Sequence, residues 1–204
     1  MSEKQVQAAL RKEWEELMAR SRSTAFVTGP PTPISLFAEL EEVGQGWEKL
    51  RESELLPRVA GRSVNSGWTL RELLAHLASW AKEFRLEIET SLAGGSFDYA
   101  IPYAFSVMGP NAWNQKEVES RRPTALAEIF AELESETRRL QDVVVGASKE
   151  ELLRSHLYPL APSGSAEERW QGTPAQIVLA KCMHDRYHLG QIERFLGSVR
   201  SDES

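Results

Sequence analysis

Thr173-Pro174-Ala175-Gln176-Ile177-Val178-Leu179-Ala180-Lys181-Cys182-Met183-His184-Asp185-Arg186-Tyr187-His188-Leu189-Gly190-Gln191-Ile192 carries the clearest helix-start signal in the chain. Threonine stands at the N-cap, proline fills the first helical position, and a glutamine three residues after the cap can reach back to the cap's own N–H. The spacing predicts a helix running to about Leu196, followed by a polar, frayed tail over Ser198–Ser204. At about 100° per residue, Ile177, Ala180, Gln191 and Phe195 share a face with His184 and His188. That face is apolar enough to be a buried stripe, so the segment reads as one wall of a helical core.

Working outward, the same period recurs and strand-like alternation is nearly absent. Residues 3–21 place Val6, Leu10, Trp14 and Leu17 at three- and four-residue steps, an amphipathic helix that ends before Gly29-Pro30-Pro31-Thr32-Pro33. A second helix opens at Thr32 or Pro33 and is expected to reach about Glu54, with Phe37, Leu40, Val43, Trp47 and Leu50 inward. After a polar connection at 61–67, Thr69-Leu70-Arg71-Glu72 is a capping box that starts a long helix. Its stripe is Leu70, Leu73, Leu77, Ala81, Phe84 and Ile88, and Gly94-Gly95 ends it. Residues 95–110 read as a loop with aromatics, 113–121 as a short helix, and the stretch after Pro123 as a longer one facing Leu126, Phe130, Leu133, Leu140 and Val144 inward. Ser148 caps one further turn, and 155–172 read as a loop with two prolines. The expected architecture is all-α: a four-helix bundle over 31–197, an additional N-terminal helical extension over 1–30, and a polar tail over 198–204.

Bulk properties agree with a soluble globular chain. Of 204 residues, 41% are hydrophobic and 26% charged, and 24 basic against 30 acidic residues leave a formal charge of −6. That balance argues against a nucleic-acid partner, which usually needs a basic face. No apolar run is long enough to span a bilayer, and Met1-Ser2-Glu3-Lys4-Gln5 lacks the apolar core of a signal peptide. The single cysteine, Cys182, excludes an internal disulfide framework. A cytoplasmic location is expected.

The chemistry concentrates in the histidines, of which there are four. His184 and His188 stand at i and i+4, stacked on one helix face with Cβ atoms about 5–6 Å apart. Two imidazoles so placed can converge on one ion at roughly 2.0–2.1 Å each. Alone, such a pair is more often two ordinary histidines than a site. His76 leans inward on another helix, one turn before Trp80, where it can complete a facial set of three. By pattern alone the plainer reading keeps a slight lead: a core-edge histidine bonded to a backbone carbonyl or a carboxylate.

Gly67-Trp68-Thr69-Leu70-Arg71-Glu72-Leu73-Leu74-Ala75-His76-Leu77-Ala78-Ser79-Trp80 resembles the second-helix signature of the DinB/YfiT-like metalloprotein superfamily. Asn111-Ala112-Trp113-Asn114 resembles the Trp-Asn element near its third helix, and His184-Asp185-Arg186-Tyr187-His188-Leu189-Gly190-Gln191-Ile192 its last-helix signature. The resemblance spans 34–197 in the right order, and only the helix before Pro30 departs from the minimal pattern. It implies three metal ligands, His76, His184 and His188, holding one divalent ion, with zinc or nickel foremost and manganese or iron as further candidates. It also implies function classes: thiol-dependent transferases and isomerases, and a hydrolase branch that opens strained rings in toxic metabolites. The Trp-Asn helix and the loop with Tyr158-Pro159 are closer in look to that last branch, the ClbS/DfsB-like one.

His184-Asp185 resembles the start of a His-Glu-x-x-His peptidase helix, but Asp replaces the general-base Glu and no ligand follows downstream, which excludes a zinc peptidase. Cys182 precedes His184 by two residues and points about 160° away, so it reads as a buried thiol rather than a ligand. His156 reads as a loop histidine, and Arg194 as an exposed residue near a helix end. Trp80 and Tyr187 can line a pocket or serve as bundle core. Gln191 is the candidate catalytic residue: it can orient a water at the ion, or equally bond a neighbouring helix. The leading expectation is a metal-dependent enzyme acting on a small electrophilic metabolite or toxin through activated water. The alternatives are thiol-dependent transfer with an external low-molecular-weight thiol, and a non-catalytic helical protein serving stress or association. The partner expected is a small-molecule substrate, with no membrane; the stripe of the 3–21 helix is expected to pack across the bundle or against a second copy of the chain, which makes a homodimer one of two outcomes.

Overall fold

The computed structural model describes residues 30–64, 67–94, 112–159 and 169–202. The expected helix at 3–21 and the aromatic loop at 95–110 lie outside the described residues. Four long helices dominate: α1 (Pro33–Arg51), α3 (Leu70–Leu92), α5 (Leu126–Gly146) and α7 (Pro174–Asp202). Shorter pieces join them: α2 (Leu56–Val59), α4 (112–120), α6 (Lys149–Leu153), and an antiparallel hairpin of β1 (His156–Pro159) and β2 (Arg169–Gly172). The all-α bundle expected from the sequence is the observed architecture, with that hairpin added.

Helix starts follow the capping chemistry. Thr32 Oγ1 accepts from Ser35 N–H at 3.1 Å while Ser35 Oγ accepts from Thr32 N–H at 2.9 Å, and Pro33 occupies the first turn. Thr69 and Glu72 form the reciprocal box at α3, Ser148 and Glu151 at α6, and Thr173 and Gln176 at α7. Each such box satisfies two N–H groups that a helix start would otherwise leave unpaired. At the far end of α3, Gly94 adopts φ +71°, the left-handed conformation that lets the chain leave the helix without a Cβ clash.

The long helices close a ring. α3 packs against α5 and α7, and α1 packs against the same two, so α1 faces α3 across the diagonal. Inside lie Leu36, Leu40, Trp47, Leu73, Leu77, Phe84, Ile88, Leu133, Leu140 and Ile192, all buried. Each contributes roughly 1.5–3 kcal/mol by leaving water. Inside the α3–α5 seam, Arg85 Nε pairs with Glu136 Oε2 at 2.5 Å, both residues buried.

Four expectations are corrected. Leu36, not Phe37, fills the first inward position of α1, and Phe37 is only half-buried. α1 stops at Arg51 rather than near Glu54, with the Glu52 N–H bonded back to Glu48 and Leu50. The loop expected over 155–172 contains the hairpin, in register Tyr158 opposite Trp170. α7 continues through the supposed frayed tail to Asp202, because Val199 is buried against the core and extends the apolar stripe one turn past Leu196.

Candidate metal centre

His76 comes from the middle of α3, and His184 and His188 come from α7, the neighbouring wall of the ring. Offered one ligand atom each, the three rings place those atoms within 4.8 Å of one another. His76 Nε2 and His184 Nε2 are 3.2 Å apart. Two nitrogens bound tetrahedrally to one ion at ~2.0–2.1 Å would stand about 3.3 Å apart, so the spacing fits shared coordination. The His184 and His188 ring centroids are 4.7 Å apart, as the one-turn offset on a helix requires.

The chemistry of the donors fits as well. Burial holds His76 well below the usual histidine range, reinforced by His184 and His188 and opposed by Asn114. Burial likewise pushes His188 down to about 3, with His184 adding to it and Gln191 and Asp185 opposing. Neutral rings keep a lone pair for a metal at neutral pH. Among the described residues His76 Nδ1 is buried without a hydrogen-bond partner, so no described carbonyl or carboxylate ties it in the plainer role of a core histidine. Together these features let the cluster hold one divalent ion.

Each ring on α7 has an oxygen behind it. His188 Nδ1 is 2.9 Å from Gln191 Oε1, and His184 Nδ1 is 3.4 Å from Asp185 Oδ1. A proton on Nδ1 of each ring donates to that oxygen and leaves Nε2 as the free donor atom. Sequence reasoning did not weigh Gln191 as a partner of His188, nor Asp185 as a partner of His184. It also missed Lys181, wholly buried with Nζ 2.7 Å from Asp185 Oδ2. The available signal was spacing: Lys181 and Asp185 stand at i and i+4 on a helix whose faces are nearly all buried.

Aromatic side chains wall the cluster. Trp68, just before the α3 cap, meets His76 edge-on with centroids 4.3 Å apart. Trp80 lies 6.0 Å from His184 and 5.1 Å from Trp113, and its indole N–H donates to Asn114 Oδ1 at 3.0 Å. The Trp-Asn element thus braces the α3 side of the site through α4. Tyr187 is 49% exposed, with its ring 5.0 Å from His188. His76 is buried while His184 and His188 are only partly so, which leaves an edge of the cluster reachable from solvent.

The remaining candidates lie elsewhere. Cys182 is fully buried and outside the histidine cluster, and burial pushes its thiol up to about 12, with Lys181 opposing. His156 begins β1 and is not part of the cluster. Arg194 is exposed. Asp185, the residue that stands where a peptidase would have its general base, is buried and committed to Lys181, in keeping with the exclusion of that class.

No described helix is long and apolar enough to cross a membrane. Searches among curated proteins and among solved structures returned no match. A family model described as the DinB superfamily matches residues 38–192. That span runs from the first turns of α1 into α7 and carries all three clustered histidines, and the chain belongs to the DinB superfamily.

Proposed function

We propose that this protein is a divalent-metal-dependent enzyme that attacks a small electrophilic metabolite or toxin with activated water, with His76, His184 and His188 as the metal ligands. The observation that carries the reading is the cluster of three imidazoles, His76, His184 and His188, converging to 3.2 Å at two nitrogens and reachable from one edge. A structural zinc site is usually closed by four protein ligands, often thiolates, whereas three histidines leave a position for water or substrate. When bound, such an ion would supply Lewis acidity that brings the pKa of a water down to about 7. The chain's own residues do the rest. Gln191 and Asp185 hold the proton on Nδ1 of His188 and His184. Trp80, Trp113 and Phe84 keep the inner side dry. The aromatic wall suits a small, largely apolar electrophile, and the resemblance to the ring-opening ClbS/DfsB-like branch favours a strained ring.

A thiol-dependent transfer is the second reading, and Cys182 defines its form. Buried, and with a thiol pushed up to about 12, Cys182 cannot supply the thiolate, so the thiol must come from outside. The two routes separate in one assay. Purified protein is analysed for metal, zinc or nickel first because imidazole suits both, then incubated with a panel of strained-ring and other electrophiles, with and without glutathione, mycothiol and bacillithiol. Turnover without thiol supports hydrolysis, and turnover only with thiol overturns it. Loaded protein that turns over nothing points to the non-catalytic alternative.

A further inference from the structure

We propose that Lys181 and Asp185 form a buried anchor that fixes the tautomer and aim of the His184 ring, making both of them positioning residues for the metal site. The inference rests on the metal reading above for its consequence, not for its geometry. Lys181 is 0% and Asp185 1% exposed. Lys181 Nζ donates to Asp185 Oδ2 at 2.7 Å and to Thr137 Oγ1 of α5 at 3.2 Å. Trp47 Nε1, from α1, donates to the same Oδ2 at 3.4 Å. With Oδ2 taken by Lys181 and Trp47, Oδ1 is the atom turned toward His184 Nδ1.

A carboxylate only accepts, so the His184 proton belongs on Nδ1 and the lone pair on Nε2, the nitrogen that faces His76. The anchor ties that choice to three walls of the ring, since Trp47, Thr137 and His184 stand on α1, α5 and α7. A buried ion pair is weak evidence for stability, because well-packed apolar residues of similar volume often do as well. Its retention in the middle of an otherwise leucine-rich core is accounted for by what its free oxygen holds. The three rings are also anchored unequally: His184 by a charged group, His188 by the neutral Gln191 amide, and His76 Nδ1 by no partner among the described residues. His184 is thus the fixed reference against which the other two close.

The test compares wild type with the charge-neutral double variant Lys181→Met/Asp185→Leu. Histidine 15N shifts of the metal-free proteins report tautomer, and chelator competition reports the zinc dissociation constant. Wild type should show His184 fixed with its proton on Nδ1. The double variant should melt within a few degrees of wild type, show mixed His184 tautomers, and bind zinc 10–100-fold more weakly. Unchanged tautomer and zinc affinity in a folded double variant overturn the proposal. If the double variant does not fold, the near-isosteric Asp185→Asn decides: zinc binding weakened about tenfold supports the anchor, and unchanged binding overturns it. Wild type with mixed His184 tautomers also overturns the anchor. Wild type with a fixed tautomer and no zinc binding overturns the metal reading and supports the anchor.

Discussion

Gln191 Oε1 sits 2.9 Å from His188 Nδ1, less than one turn along the same helix. The contact spends the amide oxygen on a ring nitrogen instead of a substrate, which makes Gln191 a residue that orients His188. Such partners behind a metal ligand typically account for 10–100-fold in affinity. Gln191→Ala is therefore expected to weaken zinc binding at least tenfold with the fold intact, measured by chelator competition. His188→Ala should cost far more, taking bound metal from near one ion per chain to a small fraction in elemental analysis. Wild-type affinity in Gln191→Ala would show that the ring is held by packing alone.

Much of this was legible in the sequence, for a local reason. Capping boxes and the His184/His188 spacing are encoded within four residues, so Thr32, Thr69, Ser148 and Thr173 mark helix starts directly. The inaccuracies have non-local causes. Leu36 and Phe37 are about 100° apart on α1, and only the neighbouring helices decide which turns inward. The hairpin depends on pairing His156–Pro159 with a segment ten or more residues away. The polar residues from Ser198 onward read as a frayed tail, but burial of Val199 outweighs them. The Lys181–Asp185 pair was invisible because charged residues are mostly exposed, and only the ring of helices around them makes them interior.

Stability of the metal-free protein should be greatest at mildly acid pH. Burial lowers His76 and pushes His188 from 6.5 to about 3, so between those values the unfolded chain takes up protons that the folded chain refuses. Stability therefore falls as pH drops below 6.5, approaching about 1.4 kcal/mol per pH unit for each such histidine. Glu87 and Glu83 act oppositely: burial raises them from 4.5 to about 8 and about 7, and their contribution, complete below 4.5, is lost as pH rises through those values. The slopes oppose each other between 4.5 and 6.5, where the melting temperature should peak. Glu87→Gln should raise Tm at pH 8 by about 2–4 °C for each kcal/mol recovered, and leave it unchanged near pH 4. A wild-type optimum above pH 7.5 would contradict both shifts.

Cys182 offers a check on the helix register. Fully buried, with its thiol pushed up to about 12, it should resist a thiol reagent until the chain unfolds. Cys182→Ser buries a hydroxyl in an apolar setting and should cost about 1–3 kcal/mol. Metal content should not change, because the side chain stands outside the histidine cluster. Loss of metal in that variant, together with a wild-type Tm, would mean that the sulfur faces the site.

Two glycines in α1 test how closely α1 and α7 approach beside the site. Among the described residues, a Cβ added at Gly44 would meet nothing within 4 Å, whereas one at Gly46 would lie 2.8 Å from Leu189 Cδ1. Glycine inside a helix costs roughly 0.5–1 kcal/mol relative to alanine, because the unfolded chain has more freedom to lose. Gly44→Ala should recover that amount and raise Tm by about 1–4 °C. Gly46→Ala gains the same backbone term but must displace Leu189, a buried neighbour of His188. Overpacking of this kind costs typically about 1–3 kcal/mol. Gly46→Ala should therefore melt below Gly44→Ala, and at or below wild type. Because Leu189 sits on α7 directly after His188, its displacement should also weaken zinc binding, while Gly44→Ala leaves it unchanged. Equal melting temperatures for the two variants would mean that Leu189 repacks freely, and that close packing of α1 on α7 does not help to hold the histidines in place.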